Sequence, residues 1–558
     1  MHTITARLKN LFLSSWHPFL WFFLVGFLIY GQALFFGFSY FDDNILILER
    51  IHQLRDISSL GNVFQNDVFH LAHHPGSYYR PLLVLSFMVD ALVAGANPLI
   101  FHFSNILIHV LSVCILFVLL QELFPFRGKV FCFSLLFLVH PANVQAVVWL
   151  PGRNDLLLAF FAMTSFLFFI KDLQHPCLRK SLGHFVLFFL ALMTKESAVA
   201  LPVLCFCYFV FVQKGRIAQL PVKFYLGWVL CLGLWFLCRS AALKTMGIGM
   251  AVSFGSVLQN SPAIILYLGK VFFPFNLSVF PILRDSSLWW GILAIFMMSI
   301  VVSCFQSKRR PMIVFGFLWF LFFISFALLR VTSPEAPADF LEHRLYVPMV
   351  GILLVLLGMQ NNSLGRYGPR LAILIFVSSF LAFSLINMSY AKNFQDRLTF
   401  WQRAVKDAPG AALVHANLGA MYYFDKKFEP AIYEYQQALA LNPRQDMVHS
   451  NLALIFEKQD RFLEAEQEFL TELSLSPRYA DGYFNLGLLR YRQRRIDEAR
   501  QLMRQTISLD PYHVGAHQAL AVDFYHSGDK ENLSLYLQKL KEMNLAISSD
   551  FLQKVNLW

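Results

Sequence analysis

Two adjacent carboxylates, Asp42-Asp43, stand just beyond a run from Phe19 to Phe38 that carries no charged residue and is long enough to span a bilayer as a helix. At a membrane surface such a pair is either a polar end to a helix or the reactive centre of a membrane enzyme. Four further clusters have side chains suited to chemistry. In Tyr78-Tyr79-Arg80-Pro81-Leu82, an arginine flanked by aromatics suits a phosphate headgroup through bidentate bonds, or snorkels at the interface. His102-x-x-Asn105-x-x-x-His109 forms one helical stripe, for metal binding or for hydrogen bonds between helices. His140-Pro141…Gln145…Arg153-Asn154-Asp155 ends one apolar segment and starts the next; Arg153 and Asp155 either pair in the turn or contact a ligand. Lys195-Glu196, an internal ion pair or a site, is grouped with Glu342-His343-Arg344-Leu345-Tyr346-x-Pro348. Ionisable residues near a bilayer are costly to bury, which makes each a functional candidate. No phosphate-binding glycine loop and no Gly-x-Gly-x-x-Gly occurs, so a lipid-linked donor suits a transferase of this kind better than a nucleotide bound at such a site.

The elements that position these residues follow from composition. Hydrophobic residues make up 57% of the 558 and charged ones 15%, with a mean hydropathy of +0.52; this is a membrane composition. The net charge of +11 does not point to nucleic acid, because the basic residues sit in short connectors between apolar segments. Those segments run over 16–38, 99–120, 130–148, 155–170, 184–194, 197–212, 221–241, 262–281, 287–305, 312–330, 344–359 and 371–390. The connectors Arg127-Lys129, Lys171 with Arg179-Lys180, Lys214 with Arg216, Lys308-Arg309-Arg310, and Arg366 with Arg370 are placed inside, as are Arg7 and Lys9. The segment 262–281, interrupted by Lys270 and prolines, is read as lying at the outer surface. About eleven spans result, with the N-terminus inside as an uncleaved signal-anchor and the five clusters outside. The eight cysteines fall mostly in apolar runs, without a Cys-x-x-Cys pair, which argues against a disulfide framework or a zinc site.

After Tyr390 the composition becomes that of a soluble protein with a period of 34: Pro409, Pro443, Pro477 and Pro511; Asn417, Asn451 and Asn485; Ala431, Ala465 and Ala499. This is the tetratricopeptide (TPR) pattern, a stack of helix pairs. Clear repeats are expected over 412–445, 446–479 and 480–513, and a weaker one over 514–547. Trp401–Ala408 reads as half a repeat joining the array to the last span. Such an array either binds an extended peptide or protein in its groove or serves as a spacer. The fold expected is therefore all-α: a polytopic membrane domain over 1–390, with a first outer loop at 39–98, and an α-solenoid over 391–558.

The ordered series Asp42-Asp43, Tyr79-Arg80-Pro81-Leu82, His102…Asn105…His109, His140-Pro141, Gly152-Arg153-x-Asp155, Lys195-Glu196 and Glu342-His343-Arg344-Leu345-Tyr346, followed by TPRs, resembles the transmembrane-and-TPR O-mannosyltransferases and their bacterial relatives, which are GT-C glycosyltransferases. The resemblance implies transfer of mannose or another hexose from a polyprenyl-phosphate sugar to a hydroxyl acceptor, protein Ser or Thr, on the extracytoplasmic side. It implies Asp42 as general base, Asp43 as its partner or a metal-assisting group, and Arg80, Arg344 and Lys195 toward the donor phosphate. His102, His109, His140, Arg153, Asp155, Glu196, Glu342 and His343 are the supporting polar set. One carboxylate base suffices for displacement with inversion. A divalent cation beside the two repelling carboxylates is left open. Gln145 departs from a glutamate common in the family, and the repeats are few. The membrane is a bacterial inner membrane with the repeats in the periplasm, or the endoplasmic reticulum with the repeats in the lumen. The alternative reading is a membrane-anchored TPR scaffold without catalysis.

Overall fold

The computed structural model describes residues 12–69, 78–243, 254–304, 309–331, 333, 337–359 and 368–542. Arg7, Lys9, Lys308, Arg366 and the last residues of the fourth repeat lie outside them. The protein is all-α: among the described residues the one β feature is an isolated antiparallel bridge, Ile282 to Asp339. Contacts divide the chain into two compact units, Met1–Gly410 and Ala411–Trp558.

The first unit contains α1 (His17–Tyr30), α2 (Pro81–Ala94), α3 (Pro98–Leu123), α4 (Arg127–Val139), α5 (Arg153–Gln174), α6 (Leu178–Leu192), α7 (Val222–Ala242), α8 (Pro262–Phe272), α9 (Trp289–Cys304), α10 (Arg310–Leu328), α11 (Pro348–Gly358), α12 (Gly368–Ala391) and α13 (Arg397–Asp407). Among the described residues six helices are long and apolar enough to cross a membrane: His17–Phe35, Pro98–Leu123, Leu150–Gln174, Val222–Ala242, Arg310–Leu328 and Arg370–Phe394. A seventh span arises if α4 and the short helix after it are counted together across a 51° bend. That bend falls at His140-Pro141, where proline removes a backbone donor and stops the helix. About eleven spans are expected from the sequence; among the described residues the further apolar helices are shorter than a bilayer-spanning length. With 11 residues, α11 reaches only about 16 Å.

Close helix packing needs small residues. A Cβ on Gly316 of α10 would stand 2.6 Å from the Gly351 carbonyl oxygen of α11, so only glycine lets these two backbones meet. Helix α8, expected to lie at the outer surface without spanning, has 11 residues, too few to cross a bilayer, and buries Leu266, Tyr267 and Lys270 within the unit. Beyond α12, residues 392–410 belong to the first unit. Asp396 caps α13 by accepting from Thr399 N at 2.9 Å, while Val279 N donates to Asp407 Oδ2 at 2.9 Å. Gly410 N donates to Asp285 Oδ2 at 2.7 Å.

Among the described residues the second unit holds four helix pairs: α14 (Ala412–Phe424) with α15 (Phe428–Leu441), α16 (Val448–Lys458) with α17 (Phe462–Leu475), α18 (Ala480–Arg492) with α19 (Ile496–Leu509), and α20 (Val514–Ser527) with α21 (Lys530–Glu542). Ala431, Ala465 and Ala499 are fully buried where the paired helices touch. The turn inside each pair passes through one residue in the left-handed region, at Lys426, Asp460, Arg494 and Gly528, and these keep the 34-residue period. The fourth repeat, weak in sequence, thus keeps the backbone geometry of the other three, with glycine where that conformation is least costly.

Candidate functional site

The acidic pair sits on a strained turn. Tyr40 has φ 57° and Asp42 has φ 65°; aspartate tolerates this region through its short polar side chain, but tyrosine does so at a cost on the order of 1–3 kcal/mol. What holds the turn is Asp43. Its Oδ2 accepts from Ser39 N at 2.7 Å and from Ser39 Oγ at 2.9 Å. Trp149 Nε1 adds a bond of 2.7 Å to the Phe41 carbonyl. Asp43 is 1% exposed, whereas Asp42 remains partly exposed. Burial lifts the Asp42 carboxyl to about 6; Asp339 adds to the rise, and Arg330, Arg80 and Arg344 oppose it. Burial lifts Asp43 to about 7 against the bonds from Ser39. The two carboxylates thus differ: Asp43 is buried and bonded to the Ser39 backbone and hydroxyl, while Asp42 is partly exposed and feels the charges of Asp339, Arg330, Arg80 and Arg344.

Those arginines are each paired. Arg80 donates to Glu196 Oε2 from Nη2 at 2.9 Å and from Nε at 3.2 Å, and its guanidinium lies 4.5 Å over the Tyr78 ring. Arg344 donates to the Asp339 carboxylate at 2.5 Å and to its carbonyl at 2.6 Å. Arg330 joins Asp339 at 2.8 Å. Burial raises the Asp339 carboxyl, but Arg344 and Arg330 outweigh it and hold it below the usual carboxylate range. Lys195 reaches both oxygens of Asp155 at 2.7 Å. His343 Nε2 lies 3.7 Å from Asp155 Oδ2, and its ring packs on Trp149 with centroids 5.0 Å apart. Burial, reinforced by Lys195, Arg344, Arg80 and Arg330, pushes His343 well below its ordinary range and keeps it neutral. Asp42, Arg80, Lys195, Glu196, Asp155, His343 and Arg344 thus share one electrostatic neighbourhood.

Several pairings differ from those expected, and the remaining residues are placed elsewhere. Lys195 and Glu196 do not pair with each other but with Asp155 and Arg80. Arg153 does not pair with Asp155. It is fully buried, bridges to Asp90 at 2.6 Å and donates to Asn105 Oδ1 at 2.6 Å. A Cβ on the preceding Gly152 would stand 2.7 Å from the Gln145 and Ala146 carbonyls, so glycine is required there. His102 reaches the Gly37 carbonyl at 3.4 Å. His109 joins Tyr346 Oη at 2.6 Å and the Leu138 carbonyl at 3.0 Å, and His140 reaches the Val271 carbonyl at 2.9 Å. These are hydrogen bonds between segments. Among the described residues no group of three or more His, Cys, Asp or Glu could hold a metal ion. Glu342 is fully buried on Lys270 at 2.7 Å and Ser278 N at 2.8 Å. Gln145 donates to the Val279 carbonyl and accepts from His343 N at 3.1 Å, a neutral brace that an ionised glutamate, which only accepts, could not reproduce.

Sequence reading gave no part in these pairings to Asp339, Arg330, Asp90 or Lys270, the last noted only as an interruption of an apolar run. Each carried a signal, as an ionisable residue within or next to an apolar run.

A family model described as TPR repeat matches residues 421–460, and one described as tetratricopeptide repeat matches residues 480–513. The chain is 31% identical over 184 residues to "Protein O-mannosyl-transferase Tmtc1" of Drosophila melanogaster, covering 32% of this chain and 21% of that protein. It is 31% identical over 192 residues to the human "Protein O-mannosyl-transferase TMTC3", covering 33% and 21%. The matched stretch is therefore about a fifth of each relative's length. Among solved structures, "Crystal structure of MamA" is 21% identical, covering 26% of this chain and 86% of that one, with a TM-score of 0.24. The structure titled for Pseudomonas aeruginosa pilF is 22% identical, covering 32% and 78%, with a TM-score of 0.25.

Proposed function

We propose that this chain, whose sequence resembles the transmembrane-and-TPR O-mannosyltransferases, is a membrane glycosyltransferase. It moves mannose or another hexose from a polyprenyl phosphate to the hydroxyl of a protein Ser or Thr on the extracytoplasmic side. The observation that carries the reading is the partly exposed Asp42 carboxylate, held on a strained turn within electrostatic reach of Arg80, Arg330 and Arg344.

The chemistry is direct displacement. The acceptor hydroxyl is a weak nucleophile, and Asp42 takes its proton as the oxygen attacks the anomeric carbon. The bond from that carbon to the phosphate oxygen breaks, its electron pair leaves with polyprenyl phosphate, and the configuration inverts. Negative charge grows on the phosphate, where arginines fixed beforehand stabilise it without reorganising. A guanidinium has five donors, and pairing with Glu196 commits only Nε and one terminal nitrogen of Arg80. The other terminal nitrogen suits a phosphate oxygen. Glu196, Asp339 and Asp155 hold the cations in place before substrate arrives, and Asp43 positions the base by closing the turn on Ser39.

Asp42→Asn keeps the shape and removes the base. Transfer to a Ser/Thr peptide from polyprenyl-phosphate mannose should fall by about 10²–10⁴-fold, with membrane insertion intact. Activity close to wild type in this variant excludes Asp42 as the base.

A further inference from the structure

Helix α13 lies between the last long apolar helix and the first repeat, yet its packing is directed at the acidic turn. Phe400 stacks on Phe41 with ring centroids 5.4 Å apart, and Trp401 meets the same ring edge-on at 5.5 Å. Arg397 places its guanidinium 5.3 Å over the Tyr40 ring. Just upstream, the Gln395 carbonyl accepts from Gly37 N at 2.8 Å. Thus the two residues that precede Asp42, one of them in the left-handed region, are gripped from α13. On its other face Phe41 stacks on Trp149 at 5.0 Å. Phe400 and Trp401 are buried, while Arg397 is partly exposed. The helix is itself pinned at both ends, by the Asp396 cap and by Asp407 on Val279 N.

We propose that α13 is a positioning element of the catalytic turn: Arg397 and Phe400, acting through Tyr40 and Phe41, aim the Asp42 carboxylate. This rests on the reading of Asp42 as the base. The segment that sequence makes half a repeat then belongs to the transferase site, and the chain that carries the repeats passes through the catalytic machinery before reaching them. With left-handed residues at positions 40 and 42, the turn keeps its shape only while its surroundings over-determine it, and the α13 packing adds to the bonds of Asp43 and Trp149 in doing so. Small misplacement of a catalytic group costs rate more than it costs folding.

The test uses the full-length protein purified in detergent, with polyprenyl-phosphate mannose as donor and a Ser/Thr peptide as acceptor. Arg397→Ala and Phe400→Leu should lower kcat by about tenfold to a hundredfold with the donor KM unchanged. Arg397→Lys, which keeps a cation over the Tyr40 ring, should recover most of that loss. Tyr40→Ala added to Arg397→Ala should cost less than the sum of the two single losses, because the two side chains share the contact of guanidinium and ring. If Phe400→Leu fails to fold, the Arg397 series decides alone. A kcat per folded enzyme within about twofold of wild type in Arg397→Ala, beside an inactive Asp42→Asn, overturns the positioning role and leaves the base reading standing. An active Asp42→Asn overturns both.

Discussion

At the scale of residues, the two neighbouring acids separate by what they face. Asp43 is bound to Ser39 and buried; Asp42 is partly exposed among cations. A base must be ionised to accept a proton, so the rate should rise with pH through the value at which Asp42 titrates. Burial has lifted that value to about 6, and the carboxyl is protonated and inactive below it. A pH–rate profile of kcat/KM for the free enzyme should therefore show an acidic limb near 6, not in the ordinary carboxylate range. A limb near 4 contradicts the account. The identities of Asp42, Arg80, Lys195, Glu196, Asp155 and Arg344 were legible in the sequence as ionisable residues at the ends of apolar runs. Their partners were not. Arg80 meets Glu196 across 116 residues and Lys195 meets Asp155 across 40, and no local spacing encodes such contacts.

At the scale of elements, Glu342 shows how a residue inside a chemically suggestive cluster serves the fold. Its carboxylate joins α8 to the segment before α11 through Lys270, and both side chains are buried. Removing one partner strands a charge, so Glu342→Ala should destabilise the first unit by about 3–5 kcal/mol. Glu342→Ala combined with Lys270→Met should recover much of that loss and restore transfer per folded enzyme. Thermal unfolding in detergent, read beside activity, checks both. If the double variant is stable but inactive, Glu342 acts on substrate. The long apolar helices were readable from composition because length and hydropathy suffice. The short ones divide: Lys270 and the flanking prolines mark α8 as non-spanning in the sequence, whereas α11 is as apolar as a span, and its close packing on α10 at Gly316 and Gly351 leaves no mark in length or hydropathy. The repeats were legible as helix pairs, since they follow a strict period of 34, whereas the left-handed turn residues that keep the same period emerge only from the backbone.

At the scale of the whole molecule, the division between units falls at Gly410, beyond the change in composition that sequence reading places at residue 390. Composition marks where the chain leaves an apolar run, whereas packing marks where it leaves the first unit, and α13 lies between the two. A chain ending after Gly410 should retain transfer to short peptides, while one ending after Tyr390, lacking α13, should lose it. Equal activity in both contradicts this placement, and loss of all transfer in the longer chain favours a scaffold built around the repeats. The central claim is the base. Purified full-length protein, incubated with polyprenyl-phosphate mannose and a Ser/Thr peptide, should release polyprenyl phosphate and form an inverted glycoside, whereas Asp42→Asn should release about 10²–10⁴-fold less at equal folded protein. Release by Asp42→Asn at the wild-type rate contradicts the account.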